Sequence, residues 1–190
     1  MKVQNLYPEI KQGTVLDKKS SKLLNKEFWE IVEVVSERKK GYCLTHNRIQ
    51  RIVGAFYELR GWDVYYEVPF SSGGYQPRSV RFDLVADKGK KQVVIEVKDW
   101  LDKRDFGQVN YYSNILENNK IKAKLYLATD FISAHNIFDP AMADEIEEIM
   151  TRENVGLIFA DKRLLVIFDN VQQLIFEEMP LWLMCDEEIK

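Results

Sequence analysis

The chain is poor in cysteine, having only Cys43 and Cys185, which lie far apart. That spacing argues against both a disulfide framework and a cysteine metal site. It has no apolar run of membrane-spanning length, and Met1-Lys2 leads into polar sequence with no signal-peptide core. A soluble, intracellular (cytoplasmic) protein without a membrane partner is therefore expected. A strong charge of one sign is also missing. The formal net charge of -3 is not that of a generic nucleic-acid coat. Neither an internal repeat nor a linker between two domains is found.

What is present is a globular composition: 190 residues, 46% hydrophobic and 12% aromatic, ample for one domain with a buried core. The charges are unevenly placed. Basic residues gather at Arg38-Lys39-Lys40, Arg48 and Arg51, Lys88 to Lys91, Lys103-Arg104, and Lys120 to Lys124. Acids gather in Asp144 to Glu148 and Asp186 to Glu188. Two readings stay open: a basic cleft on an acidic body, or ordinary solvated loops and helix faces.

The stretch from Val80 to Trp100 reads as two strands joined by a turn. Val80, Phe82 and Leu84 alternate with Arg81, Asp83 and Val85, and Asp87-Lys88-Gly89-Lys90 supplies the turn. A β-branched run from Val93 to Val97 forms the second strand. Strand side chains alternate, so Glu96 and Lys98 project from one face, and Ile95 and Val97 from the other. A hairpin brings Asp83 level with Glu96. Two carboxylates and an ammonium then converge beside an apolar core, a costly arrangement unless a cation or substrate uses it. The competing reading is a chance pattern on a solvated strand face.

Asp83 followed by Glu96-Val97-Lys98 resembles the signature of the PD-(D/E)XK nuclease superfamily. Phe82 stands where the motif's name has proline. The resemblance covers about residues 44–169 and rests on motif plus element order. It implies a restriction-endonuclease-like core in which Asp83, Glu96 and the backbone carbonyl of Val97 hold Mg²⁺ or Mn²⁺. Lys98 would then orient or deprotonate the attacking water and stabilise charge on the phosphate. Gln108-x-x-x-Tyr112 resembles the Q-x-x-x-Y of RecB-type nucleases, a pair that lines the site. The cysteine count speaks against the iron–sulfur branch of the superfamily.

Along the chain, residues up to about Ser20 read as a loose arm, and Leu24 to Val35 as a helix ending near Arg38 to Gly41. Thr45 is a candidate N-cap for a helix whose stripe is Ile49, Ile52, Val53, Phe56 and Leu59, ended by Gly61. His46 and Gln50 lie one turn apart on its flank; His46 either faces the cleft or sits at the surface. Trp62 to Phe70 is a strand from which Glu67 either reaches the metal cluster or pairs with Arg81. Ser71 to Pro77 is a Gly/Ser-rich loop well placed to touch substrate. Asp105 to Asn118 is a helix, and Asp105-x-x-Gln108 also has capping-box spacing, which offers Gln108 a purely structural role. Ala123 to Thr129 is a strand, Asp139-Pro140 opens a helix, and Gly156 to Ala160 and Leu164 to Phe168 are strands.

The expected architecture is α/β, a central mixed sheet flanked by helices. The expected organisation is an N-terminal arm and helix (1–43), a nuclease-like core (44–169) and a C-terminal extension (170–190) that packs or forms a homodimer. The function read from this is metal-dependent hydrolysis of phosphodiester bonds, with DNA as partner. The alternative is a catalytically inactive module of the same fold that binds nucleic acid or a partner protein. Retention of mutually repelling acids speaks against it.

Overall fold

The computed structural model describes residues 43–71, 79–101, 103–131, 148–161, 164–168 and 174–178. The N-terminal arm and its helix, most of the Gly/Ser-rich loop, and the helix start at Asp139-Pro140 lie outside the described residues.

The first described helix, α1 (His46–Glu58), has Ile49, Ile52, Val53 and Phe56 fully buried, as its period requires. Thr45 sits extended at its N-cap, and its carbonyl accepts the N–H groups of Arg48 and Ile49. Its hydroxyl, however, makes no capping bond. At the other end the N–H of Gly61 meets the carbonyl of Glu58, with Gly61 at φ 71°. Seven strands follow: β1 (Asp63–Ser71), β2 (Ser79–Lys88), β3 (Lys91–Val97), β4 (Ala123–Asp130), β5 (Val155–Ala160), β6 (Leu164–Phe168) and β7 (Leu174–Glu178). Helix α2 (Lys103–Asn118) connects β3 to β4.

The strands lie side by side in chain order in one sheet. β1 to β3 are antiparallel, β3 to β5 parallel, and β5 to β7 antiparallel. The molecule is thus α/β with a mixed sheet flanked by helices. β7 comes from the stretch read as a C-terminal extension and pairs with β6. α1 covers one face, packing with Leu84, Ile95, Val97, Ala128 and Ile158. α2 covers the other, with Val85, Val94, Leu127 and Phe159. The middle strands are buried on both faces, so β3, β4 and β5 read as continuous apolar runs. Among the described residues no helix is long and apolar enough to cross a membrane.

The simple alternation of Val80, Phe82 and Leu84 does not hold. Phe82 packs on the α2 side, whereas Leu84 packs on the α1 side. The same reversal occurs across the ladder, where Val64 belongs to the α1 core and Val68 to the α2 core. Between the pairs Tyr66↔Leu84 and Val68↔Phe82 stands Glu67 with φ 53°, a left-handed conformation uncommon for a non-glycine residue. Glu67 and Asp83 face each other at this break, and neither joins the ladder. Backbone groups released from a ladder need other partners. Gln50 of α1 donates to the Asp83 carbonyl at 2.6 Å, and the Asp83 carboxylate accepts the N–H of Val97 at 2.7 Å. Side chains have replaced the sheet at the point where the two acids must meet.

Gly156 of β5 pairs with Tyr126 of β4. A Cβ there would run into the buried Tyr126 ring and lie 2.7 Å from the Phe168 carbonyl oxygen, which is backbone and cannot swing aside. Gly156→Ala should therefore destabilise the protein by about 1–3 kcal/mol. Urea unfolding of the two proteins checks this, and an unchanged midpoint would contradict the packing described.

Candidate active site

Because Ile95 and Val97 point into the α1 core, Glu96 and Lys98 emerge on the α2 side of β3. α2 presents Gln108 and Tyr112 there, one turn apart. Lys98 Nζ donates to Glu96 Oε1 at 3.0 Å and to Gln108 Oε1 at 2.8 Å. Gln108 Nε2 in turn donates to the same Glu96 oxygen at 3.1 Å and to the Tyr112 hydroxyl at 2.7 Å. Its amide is thus turned wholly into the site, so the capping role that its spacing from Asp105 offered is not the one it plays. Asp105 instead lies 3.7 Å from Lys98.

Beside this group stands a second one at the break in β1 and β2. His46 Nε2 lies 3.6 Å from Asp83 Oδ1. Glu67 accepts from Gln50 at 3.0 Å and pairs with Arg81 at 3.0 Å, so it serves the cluster and its surface partner together. His46, Glu67 and Asp83 each offer a ligand atom, all within 4.8 Å of one another, and this trio could hold a metal ion. The two groups meet where Asp83 lies close enough to Glu96 for its charge to act on that carboxyl. Val97 contributes its N–H to Asp83 at the same point.

Burial sets the electrostatics. The Glu96 side chain is 6% exposed, and its Oε2 has no hydrogen-bond partner among the described residues. Desolvation, and next the charge of Asp83, push its carboxyl up from 4.5 to about 7. Asp83 is also raised by burial, against the bond from Val97 and the attraction of His46. Burial pulls Lys98 down, but the bond to Glu96 and the charges of Glu96, Asp105 and Asp83 outweigh it and leave the ammonium more basic than usual. The Tyr112 phenol is raised by burial and by Glu96.

Two residues belong to the site that the motif does not contain. Gln50 braces both acids of the break, and its only sequence signal is its place one turn after His46. Asp105 has the signal of a helix start, and nothing in the sequence aims it at Lys98.

A carboxyl favoured in its neutral form contributes stability that is complete below its ordinary pKa and lost as pH rises through the folded value. For Glu96, raised from 4.5 to about 7, this corresponds to roughly 3 kcal/mol. Metal-free protein should lose that stability between about pH 4.5 and 8, and Glu96→Gln should flatten the loss. Denaturation at a series of pH values in EDTA measures it. Parallel profiles for the two proteins would show that Glu96 does not titrate as its burial demands.

No protein-family model and no curated protein sequence matches the chain. The solved structures similar to part of it include the following three. One is an XisH family protein from Nostoc punctiforme, with 18% identity and TM-score 0.44, covering 61% of this chain and 89% of the other. Another is an fdxN element excision controlling factor protein from Anabaena variabilis, with 16% identity and TM-score 0.44, covering 61% and 88%. The third is a protein of unknown function, with 14% identity and TM-score 0.45, covering 60% and 58%.

Proposed function

We propose that the chain is a metal-dependent nuclease that hydrolyses phosphodiester bonds in DNA. The observation that carries this reading is the Glu96 carboxyl, buried beside Asp83 with one oxygen that has no partner among the described residues. Unsatisfied buried acceptors are uncommon, and two repelling acids brought side by side are a natural place for a cation. The donors are carboxylates and one imidazole, which suits Mg²⁺ or Mn²⁺. Asp83 and Glu96 would hold the ion, with the Val97 carbonyl, and His46 and Glu67 would extend the set. A divalent ion in such a site supplies Lewis-acid stabilisation of charge on the phosphate.

The chain's own residues do the rest. Lys98, held charged by Glu96 and Asp105, acts as an electrostatic group that orients water and stabilises negative charge, not as the base. Gln108 fixes the ammonium with its oxygen and Glu96 with its nitrogen, so one amide sets the distance between the Lys98 ammonium and the Glu96 carboxyl. Tyr112 locks that amide's orientation. Gln50 holds Asp83 at the break.

Incubation with linear, circular, single-stranded and branched DNAs in Mg²⁺ and Mn²⁺ tests the reading. Asp83→Asn keeps the shape and removes one repelling charge, so it should abolish cleavage while leaving metal-free protein as stable as wild type or more so. With a dissociation constant near 1 mM, 10 mM Mg²⁺ should stabilise wild type alone by about 1.4 kcal/mol, a melting shift of roughly 3–6 °C. A less stable Asp83→Asn in EDTA, with no response of wild type to either ion, would make Asp83 structural. Gln108→Ala should slow cleavage strongly with little change in melting. Normal turnover in that variant would remove Gln108 from the catalytic set.

A further inference from the structure

Three features of the surface beside Lys98 and Gln108 have no structural explanation in the fold. Trp100 is 54% exposed, although Leu101, the next residue, is fully buried under α2. Its loop is pinned by Lys98 on one side and Leu101 on the other, so the indole is held out in water, with no hydrogen bond or ring contact among the described residues. Tyr111 of α2 is 39% exposed, its ring tilted by 43° to that of Tyr112 at 6.0 Å. Gly107 lies on α2 one turn before Tyr111 and next to Gln108 in the chain. Glycine inside a helix is unfavourable relative to alanine. Here φ is ordinary and a Cβ would meet nothing within 4 Å, so neither backbone nor packing requires it. Arg104, also exposed, places a cation one turn earlier on the same stripe.

We propose that Trp100, Gly107 and Tyr111 form a track for an unpaired DNA strand, so that the site takes single-stranded or frayed DNA and not intact duplex. This rests on the nuclease reading above and names its substrate class. Base–aromatic stacking is tolerant of sequence but needs a free base face, which a duplex withholds. Two exposed rings, one two residues after Lys98 and one next to Tyr112 on α2, supply such platforms. The bare turn at Gly107 lets a sugar–phosphate backbone approach α2 as closely as a glycine allows. The Arg104 guanidinium and the N-terminal end of α2 favour the phosphates that would lie there.

The test uses full-length protein in EDTA, which separates binding from cleavage. Fluorescence anisotropy compares a labelled oligothymidylate of about 20 nucleotides with a blunt duplex of equal length. The thymidylate should bind at least about tenfold more tightly, and Trp100→Ala and Tyr111→Ala should each weaken it by about five- to hundredfold while leaving duplex binding unchanged. Gly107→Ala should raise the melting temperature by about 2–4 °C, as removal of an unneeded helix glycine does, and yet weaken thymidylate binding. Duplex binding as tight as thymidylate binding overturns the proposal. So does wild-type thymidylate affinity in Trp100→Ala, in Tyr111→Ala, or in a stabilised Gly107→Ala. The nuclease reading fails separately: if Mg²⁺ and Mn²⁺ produce no cleavage of any DNA while the binding pattern holds, the track stands without the enzyme.

Discussion

The Glu96 carboxyl, taken out of water next to Asp83, is the constraint on which the other features of the site depend. A buried acid beside a second acid is held only if its neighbours are fixed around it. β3 carries Glu96 inward because Ile95 and Val97 are anchored in the α1 core on either side. Lys98 and Gln108 both converge on one of its oxygens, and the other has no partner among the described residues. Asp83 can approach only because β1 and β2 reverse their faces at Glu67 and Asp83, which interrupts the ladder for one pair and lets side chains replace it. Local rules of strand geometry give way at this one place. That is where a fold that serves chemistry is expected to break them.

The break and the metal cluster are one structure. Glu67 in a left-handed conformation costs of order 1–3 kcal/mol, and it persists because Gln50, Arg81 and the flanking ladder pairs hold it. The same turn of backbone puts its carboxylate within reach of His46 and Asp83. Strain, acid clustering and the orphaned oxygen of Glu96 therefore fall at a single spot in a sheet that is regular elsewhere.

Much of this is legible in the sequence, and for physical reasons. Glu96 and Lys98 share a face because strands repeat every two residues, and Gln108 and Tyr112 share one because helices return after about four. The turn ending at Lys90 sets the β2–β3 register, so the level of Asp83 with Glu96 follows from counting along the hairpin. The mixed sheet follows from apolar runs that alternate with one helical period. The reversal at Glu67 is not legible, since a glutamate at positive φ leaves no mark on composition or periodicity. With it is lost the role of Gln50, which exists only to satisfy the groups that the reversal frees. Asp105 and Gln108 have the spacing of a helix cap, and only the approach of Lys98 across the sheet edge turns both into the site. Thr45 shows the converse: a good capping residue in the right place whose hydroxyl stays unused.

The central claim is that the paired acids are a cation site, and anomalous scattering tests it most directly. Crystals grown with Mn²⁺ and measured above the manganese edge should show a peak about 2.0–2.6 Å from oxygens of both Asp83 and Glu96. Glu96 Oε2 should then be a ligand. A map at saturating Mn²⁺ with no peak there would contradict the account.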